Sequence, residues 1–443
     1  MKPVKIVLMC GGIGKRMSPI TTDKALFKFW GKPLIVHQIN SAREAGISQF
    51  IVIANPENIT DIQLSLSKIN NVKIDFALQK KPLGMADALL SASDLIDGKP
   101  FILVSSNDIF ETSAYMTLLK EYEKNNKYSV YISARRVQSY FPGGYLKVNK
   151  DNKIDHIVEK PPKGQEPSDL INIVIHLHTQ PEKLLNYLAN TTSAADDVYE
   201  KALDRMISDK HEMKAVIYQG AWQAIKYPWH ILEAMDFFPK QLKRQISPSS
   251  RISDKSVIDG NVVIEGNARV LEGAVIRGHS YIGRNSVIGN SALVRDSIIG
   301  DDCVIGYGTE IKHSYVGDKC WFHSNYIGDS VIENDCSFGA GAVTANFRLD
   351  EANIHVKVGN DKIDTGTDKL GAIVGKGCRI GIHTSIMPGI RIGANSFIGA
   401  HVYLIDDIES GKKVLAESHC RVMSNDIQNS GNKRQELLKK LTK

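Results

Sequence analysis

The chain has 443 residues, enough for two to four domains of ordinary size. Hydrophobic residues make up 42% and charged residues 23%, which excludes a disordered chain, and a thinly spread net charge of +6 gives no sign of a nucleic-acid-binding surface. No stretch approaches the roughly 18 apolar residues of a membrane span, the apolar run before Cys10 is too short for a signal segment, and six cysteines without a CxxC pair read as reduced thiols of a cytoplasmic protein.

Residues 1 to about 240 alternate β-rich runs with helical patterns. Strands are predicted at Lys5–Met9, Gln49–Ala54, Lys73–Leu78 and Phe101–Ser105, and helices at Pro33–Ala45, Thr60–Ile69, Ala86–Leu95 and Ser113–Asn125. This alternation predicts a parallel sheet covered on both faces, with ligands beyond the carboxyl ends of its strands. The first such end carries Gly11-Gly12-Ile13-Gly14-Lys15-Arg16. Glycines let backbone N–H groups approach phosphate oxygens, and the two cations add charge. A plain strand-to-helix turn would use the same glycines, and the spacing is not that of a Walker A loop. Pro228–Met235 begins with proline and continues at helical spacing, predicting a helix that joins two domains.

From about Arg251 aliphatic residues recur every six positions, at Ile258, Ile264, Val270, Ile276, Ile282, Ile288 and Val294. The phase slips by one, resumes at Ile299, Ile305 and Ile311, and locks again at Val374, Ile380, Ile386, Ile392, Ile398 and Leu404. This period fits neither an amphipathic helix nor a simple strand and marks a β-solenoid, each hexad supplying one face of a triangular coil. The pattern resembles the left-handed parallel β-helix of hexapeptide-repeat proteins. Phe347–Leu370 cannot be written as hexads and reads as an inserted loop, a device that solenoids often place on the binding face. Lys433–Lys440 reads as a solvated helix end.

The wider N-terminal pattern is more specific. Gly11–Arg16, then Pro19, Lys24-Ala25-Leu26 and Gly31-Lys32-Pro33-Leu34, resembles the signature of sugar-1-phosphate nucleotidylyltransferases. The resemblance implies an α/β Rossmann-like nucleotidyltransferase domain that uses Arg16 and Lys24 in catalysis. It also implies a nucleotide site at Gly11, Gly12, Gly14, Gln79 and Gly84, a sugar site at Gly144, Glu159 and Asn172, and a magnesium ligand at Asp108. A Gln amide can pair with uracil or thymine alike. Lys15 and Met85 stand where the family usually has Thr, and Asp23-Lys24-Ala25 replaces its Pro-Lys-Pro. Ala224 stands where the family has a second magnesium carboxylate, with Asp196 and Asp197 as possible substitutes.

In the solenoid, His323-x-x-Tyr326 followed by Phe338–Asn346 is similar to the acetyltransferase half of bifunctional UDP-N-acetylglucosamine pyrophosphorylases, in an archaeal-type layout. That resemblance implies His323 as general base toward the amine of glucosamine-1-phosphate, Tyr326 and Asn346 as sugar-binding residues, and acetyl-CoA as co-substrate. Ser337 and Ala352 depart from the bacterial Asn and Lys, and Gly381–Ser385 is expected along the coenzyme groove.

The domains expected are a nucleotidyltransferase domain at 1–228, a linker helix at 229–250, an all-β left-handed β-helix at 251–409 and a C-terminal tail at 410–443. The expected partners are a nucleoside triphosphate, UTP by preference, a sugar-1-phosphate and further copies of the chain in a homotrimer, with neither nucleic acid nor membrane. Two other readings stay open. One keeps only uridylyl or thymidylyl transfer, with a structural β-helix. The other is a nucleotide-sugar sensor or scaffold without turnover.

Overall fold

The computed structural model describes residues 4–238, 243–417, 422–425 and 433–442. Cys420 and parts of the predicted linker and tail lie outside them.

Four parallel strands, Phe101–Ser105, Lys5–Cys10, Gln49–Ala54 and Lys73–Leu78, lie side by side in that order, close to their predicted bounds. Helices at Leu34–Glu44, Ile59–Leu66 and Thr112–Lys124 match the predicted ones, while the expected Ala86–Leu95 helix divides at Ala92 into Met85–Ser91 and Ser93–Ile96. The sheet is mixed rather than wholly parallel. Leu170–His178 runs antiparallel to Phe101–Ser105, and beyond it the sheet forks to the Gly144–Val148/Ile154–Glu159 hairpin and to the pair Val130–Arg136 and Met213–Ile217. The hairpin has no helix between its strands, and a strand that returns without a crossover must pair antiparallel.

The second half is a β-helix whose coils are stacked through three parallel sheets. The aliphatic residues of the six-residue period, Ile264 through Leu404, fill its interior, while Ile258 at the open first coil is partly buried. Phe322 and Phe338 stack inside at 5.0 Å. Cys303, Cys320, Cys336 and Cys378 form a column in which each thiol donates to a carbonyl of the following coil, at 3.1 to 3.3 Å. The five described cysteines are free and buried. The stacking starts ahead of the visible period, since Gln245–Ile246 already pairs with Val262–Ile264. Lys433–Leu441 is an exposed helix, as its charge pattern predicts.

One face of the β-helix packs against the first half. Phe27, Phe29, Trp30, Leu34 and helix His230–Phe237 share an apolar core with Tyr281, Tyr315 and Ile373. Phe27 meets the Tyr315 ring edge-on at 5.5 Å, and Lys28 pairs with Asp318 at 2.6 Å. The inserted segment is no free loop. It forms a hairpin, His355–Val358 with Asp361–Asp364, and its Ile354, Val356 and Leu370 are buried in the same core. Val331–Ile332 and Ile373–Val374 pair directly, so the coil continues beneath the insertion.

His313 ties the joining helix to the solenoid. Its Nε2 lies 3.2 Å from Asp236 and its Nδ1 2.8 Å from Asp329. Burial works against the imidazolium, but the two carboxylates outweigh it and hold the pKa at about 9. Burial would likewise raise Asp329, yet His313, the Asn346 amide and Lys312 bring it below the usual range. A folded-state pKa above the ordinary 6.5 of His gives stability that is full below that pH and lost as pH rises through about 9. His313→Gln should therefore lower stability by about 1–2 kcal/mol near pH 6, allowing for the exposure of Asp236. Urea unfolding should show a smaller loss near pH 10.

Candidate functional site

The first strand ends in the glycine loop, over a cavity of about 930 Å³ lined by Gly11, Gly12, Gly14, Lys24, Gln79 and Gly84 among others. Beneath the loop, Asn58 donates to the Cys10 carbonyl at 2.7 Å and to Asp23 at 2.8 Å, and Asn55 donates to the Gly11 carbonyl at 3.3 Å. Asp23 accepts from the Ala25 N–H at 2.8 Å and so caps the short turn that carries Lys24. Sequence reasoning missed Asn55 and Asn58, and read Asp23 only as a departure beside Lys24. Asn and Asp after a strand read as ordinary turn formers, and their packing partners are distant in the chain.

Gln79 is buried, and a Cβ at Gly11 would overlap its amide oxygen, which explains the absence of a side chain there. Its amide nitrogen donates to the Gly84 carbonyl at 3.1 Å and to Asp87 at 2.8 Å. Burial and the nearby Arg16 lower the Lys24 pKa to about 8, with Asp108 and Asp23 opposing. Arg16 is exposed, and Asp108 lies buried outside the cavity wall.

Asp108 opens a short strand paired with Trp222–Ala224, in a register that sets Ala224 directly across from it. The Trp222 indole donates to the Asp108 carboxylate at 3.1 Å. Two residues beyond Ala224, the Lys226 ammonium donates to the Pro142 carbonyl at 2.6 Å and sits over the Phe141 ring at 3.6 Å. Burial raises Asp108 and lowers Lys226, and the attraction between the two opposes both shifts. Of the two possible substitutes, Asp196 lines the cavity, whereas Asp197 pairs with Lys201 at 3.1 Å. No cluster of three or more metal-ligating side chains occurs among the described residues. The donor set fits a cation that arrives on the triphosphate and takes a single protein carboxylate. It does not fit a resident two-carboxylate site.

The three expected sugar residues come together. Glu159 pairs with Gly144 across the hairpin, and a Cβ at Gly144 would lie 2.6 Å from the Asn172 amide and 3.0 Å from the Glu159 carboxylate. Glu159 also holds Lys160 at 2.8 Å.

On the solenoid, His323 is exposed at a coil corner. The corner is fixed by its backbone, with the His323 N–H donating to Asn325 at 2.8 Å and the Thr309 hydroxyl donating to the His323 carbonyl at 2.8 Å. Asn325 is buried and bonds the Gly339 and Ala342 carbonyls of the next coil. Tyr326 donates to the side-chain amide oxygen of Asn346 at 3.4 Å, and the Asn346 amide nitrogen donates to Asp329. Gly328 leaves room for both, since a Cβ there would lie 2.7 Å from the tyrosine oxygen.

Arg295 and Lys312 stack in register with Gly328, and Glu310 with Tyr326. Arg295 pairs with Glu310, and Lys312 with Asp329 at 3.3 Å. These cations were missed because each reads alone as an outward solenoid residue. Their signal is a spacing of one coil.

The fold and the two sites define a nucleotidyltransferase half joined to a hexapeptide half. Residues 5–241 match the nucleotidyl transferase family model, residues 242–346 the GMPPB C-terminal domain, and residues 371–406 the bacterial transferase hexapeptide model in six repeats. Among similar curated proteins, "Bifunctional protein GlmU" of Methanococcus maripaludis is 32% identical over 91% of this chain and 95% of that protein. "Bifunctional sugar-1-phosphate nucleotidylyltransferase/acetyltransferase" of Sulfurisphaera tokodaii is 31% identical over 92% of this chain and 99% of that protein. "Mannose-1-phosphate guanyltransferase 2" of Candida glabrata is 28% identical over 55% of this chain and 66% of that protein. The chain belongs to the nucleotidyl transferase family, in its branch of bifunctional nucleotidyltransferase/acetyltransferases. No described helix is long and apolar enough to cross a membrane.

Proposed function

We propose that this chain makes UDP-N-acetylglucosamine, acetylating glucosamine-1-phosphate in the second half and uridylylating the product in the first. The observation that carries the reading is that Tyr326, Asn346, Arg295 and Lys312 gather on the solenoid face that follows the His323 corner. Together they offer hydroxyl and amide groups for a sugar, two cations for its phosphate and an exposed imidazole for its amine. The sugar nitrogen attacks the acetyl thioester carbon, His323 takes the proton from nitrogen, and the C–S bond breaks to release coenzyme A. An imidazole at this position can accept the proton as a general base. Gly381–Ser385 supplies backbone groups along the coenzyme arm.

In the first half a phosphate oxygen of the sugar attacks the α-phosphorus of UTP, and pyrophosphate leaves with the α–β bridging oxygen. Backbone N–H groups of Gly11–Gly14 receive the triphosphate, Lys24 and Arg16 neutralise charge that grows in the transition state, and Gly144, Glu159 and Asn172 hold the sugar. Gln79 and Gly84 hold the base. Magnesium, when bound, would neutralise phosphate oxygens, held on the protein side by Asp108. We take the working form to be a homotrimer in the cytoplasm; the exposed Trp321 and Phe397 on one face of the β-helix support self-association.

The test is mass spectrometry of products from glucosamine-1-phosphate, acetyl-CoA, UTP and magnesium. UDP-N-acetylglucosamine is the expected product. N-acetylglucosamine-1-phosphate alone would overturn the uridylyl step, and dTTP or GTP would then show whether nucleotide choice or Ala224 is responsible. Unchanged substrates would overturn the reading.

A further inference from the structure

Glu333 lies on the solenoid face turned toward the first half and is 2% exposed. A buried carboxylate is costly unless its oxygens are hydrogen-bonded. Here Thr21 donates its N–H at 3.1 Å and its hydroxyl at 2.8 Å, and Thr22 donates N–H and hydroxyl at 2.6 Å each. The Lys376 N–H adds a bond at 2.8 Å. No described Lys, Arg or His side chain forms an ion pair with Glu333, so donors from the threonines and the backbone carry its stabilisation.

Thr21 and Thr22 directly precede Asp23, which caps the turn of Lys24. Both threonines line the nucleotide cavity, together with Asn334 and Lys376 of the solenoid. The same loop is held at its other points by the solenoid. Arg391 donates to the Ser18 carbonyl at 3.4 Å, and Lys28 pairs with Asp318 at 2.6 Å. The backbone N–H groups of Thr21 and Thr22 find their acceptor in the other half of the chain, so the path into Lys24 is set from there.

We propose that Glu333 is a positioning residue for nucleotidyl transfer, and that the hexapeptide half thereby completes the site in which Lys24 works. The substitution Glu333→Gln places an amide N–H₂ among N–H donors and loosens the loop while keeping the side chain's size. Loss of placement by about an ångström costs on the order of 10²-fold. In the full chain, kcat for nucleotidyl transfer should fall about 10–100-fold. KM for the triphosphate should change less than about threefold, because Lys24 acts on charge that grows in the transition state.

The nucleotide is whichever of UTP, dTTP, GTP, ATP and CTP the wild type turns over fastest. Thr22→Val should lose part of the rate, and Thr22→Ser, which keeps the hydroxyl, should restore it. A merely structural role would lower the melting temperature without this split between kcat and KM. A folded Glu333→Gln variant with wild-type kcat overturns the inference. So does a loss with no difference between Thr22→Val and Thr22→Ser. A wild type inert with all five nucleotides would overturn the enzymatic reading of the first half and this inference with it, whereas an active wild type with an unaffected variant overturns the inference alone.

Discussion

Alanine in place of His323 should abolish acetyl transfer, by about 10²–10⁴-fold in kcat, the usual loss when a general base is removed. Nucleotidyl transfer should stay at the wild-type rate. The ring is exposed at its corner, and the corner is built by the His323 backbone, with Asn325 and Thr309 as partners. Removing the imidazole leaves those bonds in place. Release of free coenzyme A thiol from acetyl-CoA with glucosamine-1-phosphate reads the first activity, and pyrophosphate release reads the second. Acetyl transfer within about threefold of wild type would remove His323 from the chemistry.

Lys24→Met should cost nucleotidyl transfer about 10²–10³-fold, comparable to the loss of one preorganised group that stabilises transition-state charge. The side chain sits on a turn capped by Asp23, so the substitution removes charge rather than the loop. In the wild type, burial and Arg16 hold the Lys24 pKa near 8. The ammonium is thus present below that pH and lost above it, and kcat/KM should fall as pH rises through about 8. The Met variant should retain acetyl transfer throughout. A flat alkaline profile in the wild type would mean that the charge of Lys24 does not serve the reaction.

Much of this architecture was legible in the sequence because its physical causes are local and periodic. The six-residue spacing from Ile264 to Ile288 reports residues that point inward on successive faces, and all of them are in the solenoid interior. Strand bounds such as Gln49–Ala54 were legible for a related reason, since β-rich runs flanked by turn formers have few alternatives. The hairpin Gly144–Val148/Ile154–Glu159 was harder, because its strands are half exposed and its polarity depends on a turn at Asn149–Asn152.

The candidate sites divide along the same line. Gly11–Gly14 and Lys24 lie close together in the chain, and all of them line one cavity. Glu333, Lys312 and Arg295 become intelligible only when coils are stacked or the halves are docked. Nothing local in the sequence marks Glu333, which is buried by contacts with residues 312 and 311 positions away. The insertion was visible as a break in rhythm, but its burial at the junction depends on Ile354 and Val356 meeting aromatic residues of the other half.

That separation of 312 positions between Thr21 and Glu333 also sets a timetable for synthesis. At about 5–20 residues per second, a ribosome needs on the order of 15–60 seconds to travel from one to the other. The last strand of the first-half sheet, Met213–Ile217, is made well before Glu333, and from then until Glu333 is made the N–H groups of Thr21 and Thr22 remain with water. The final acceptor for an early loop is thus among the late products of translation, and the first half is born before the clasp that closes it.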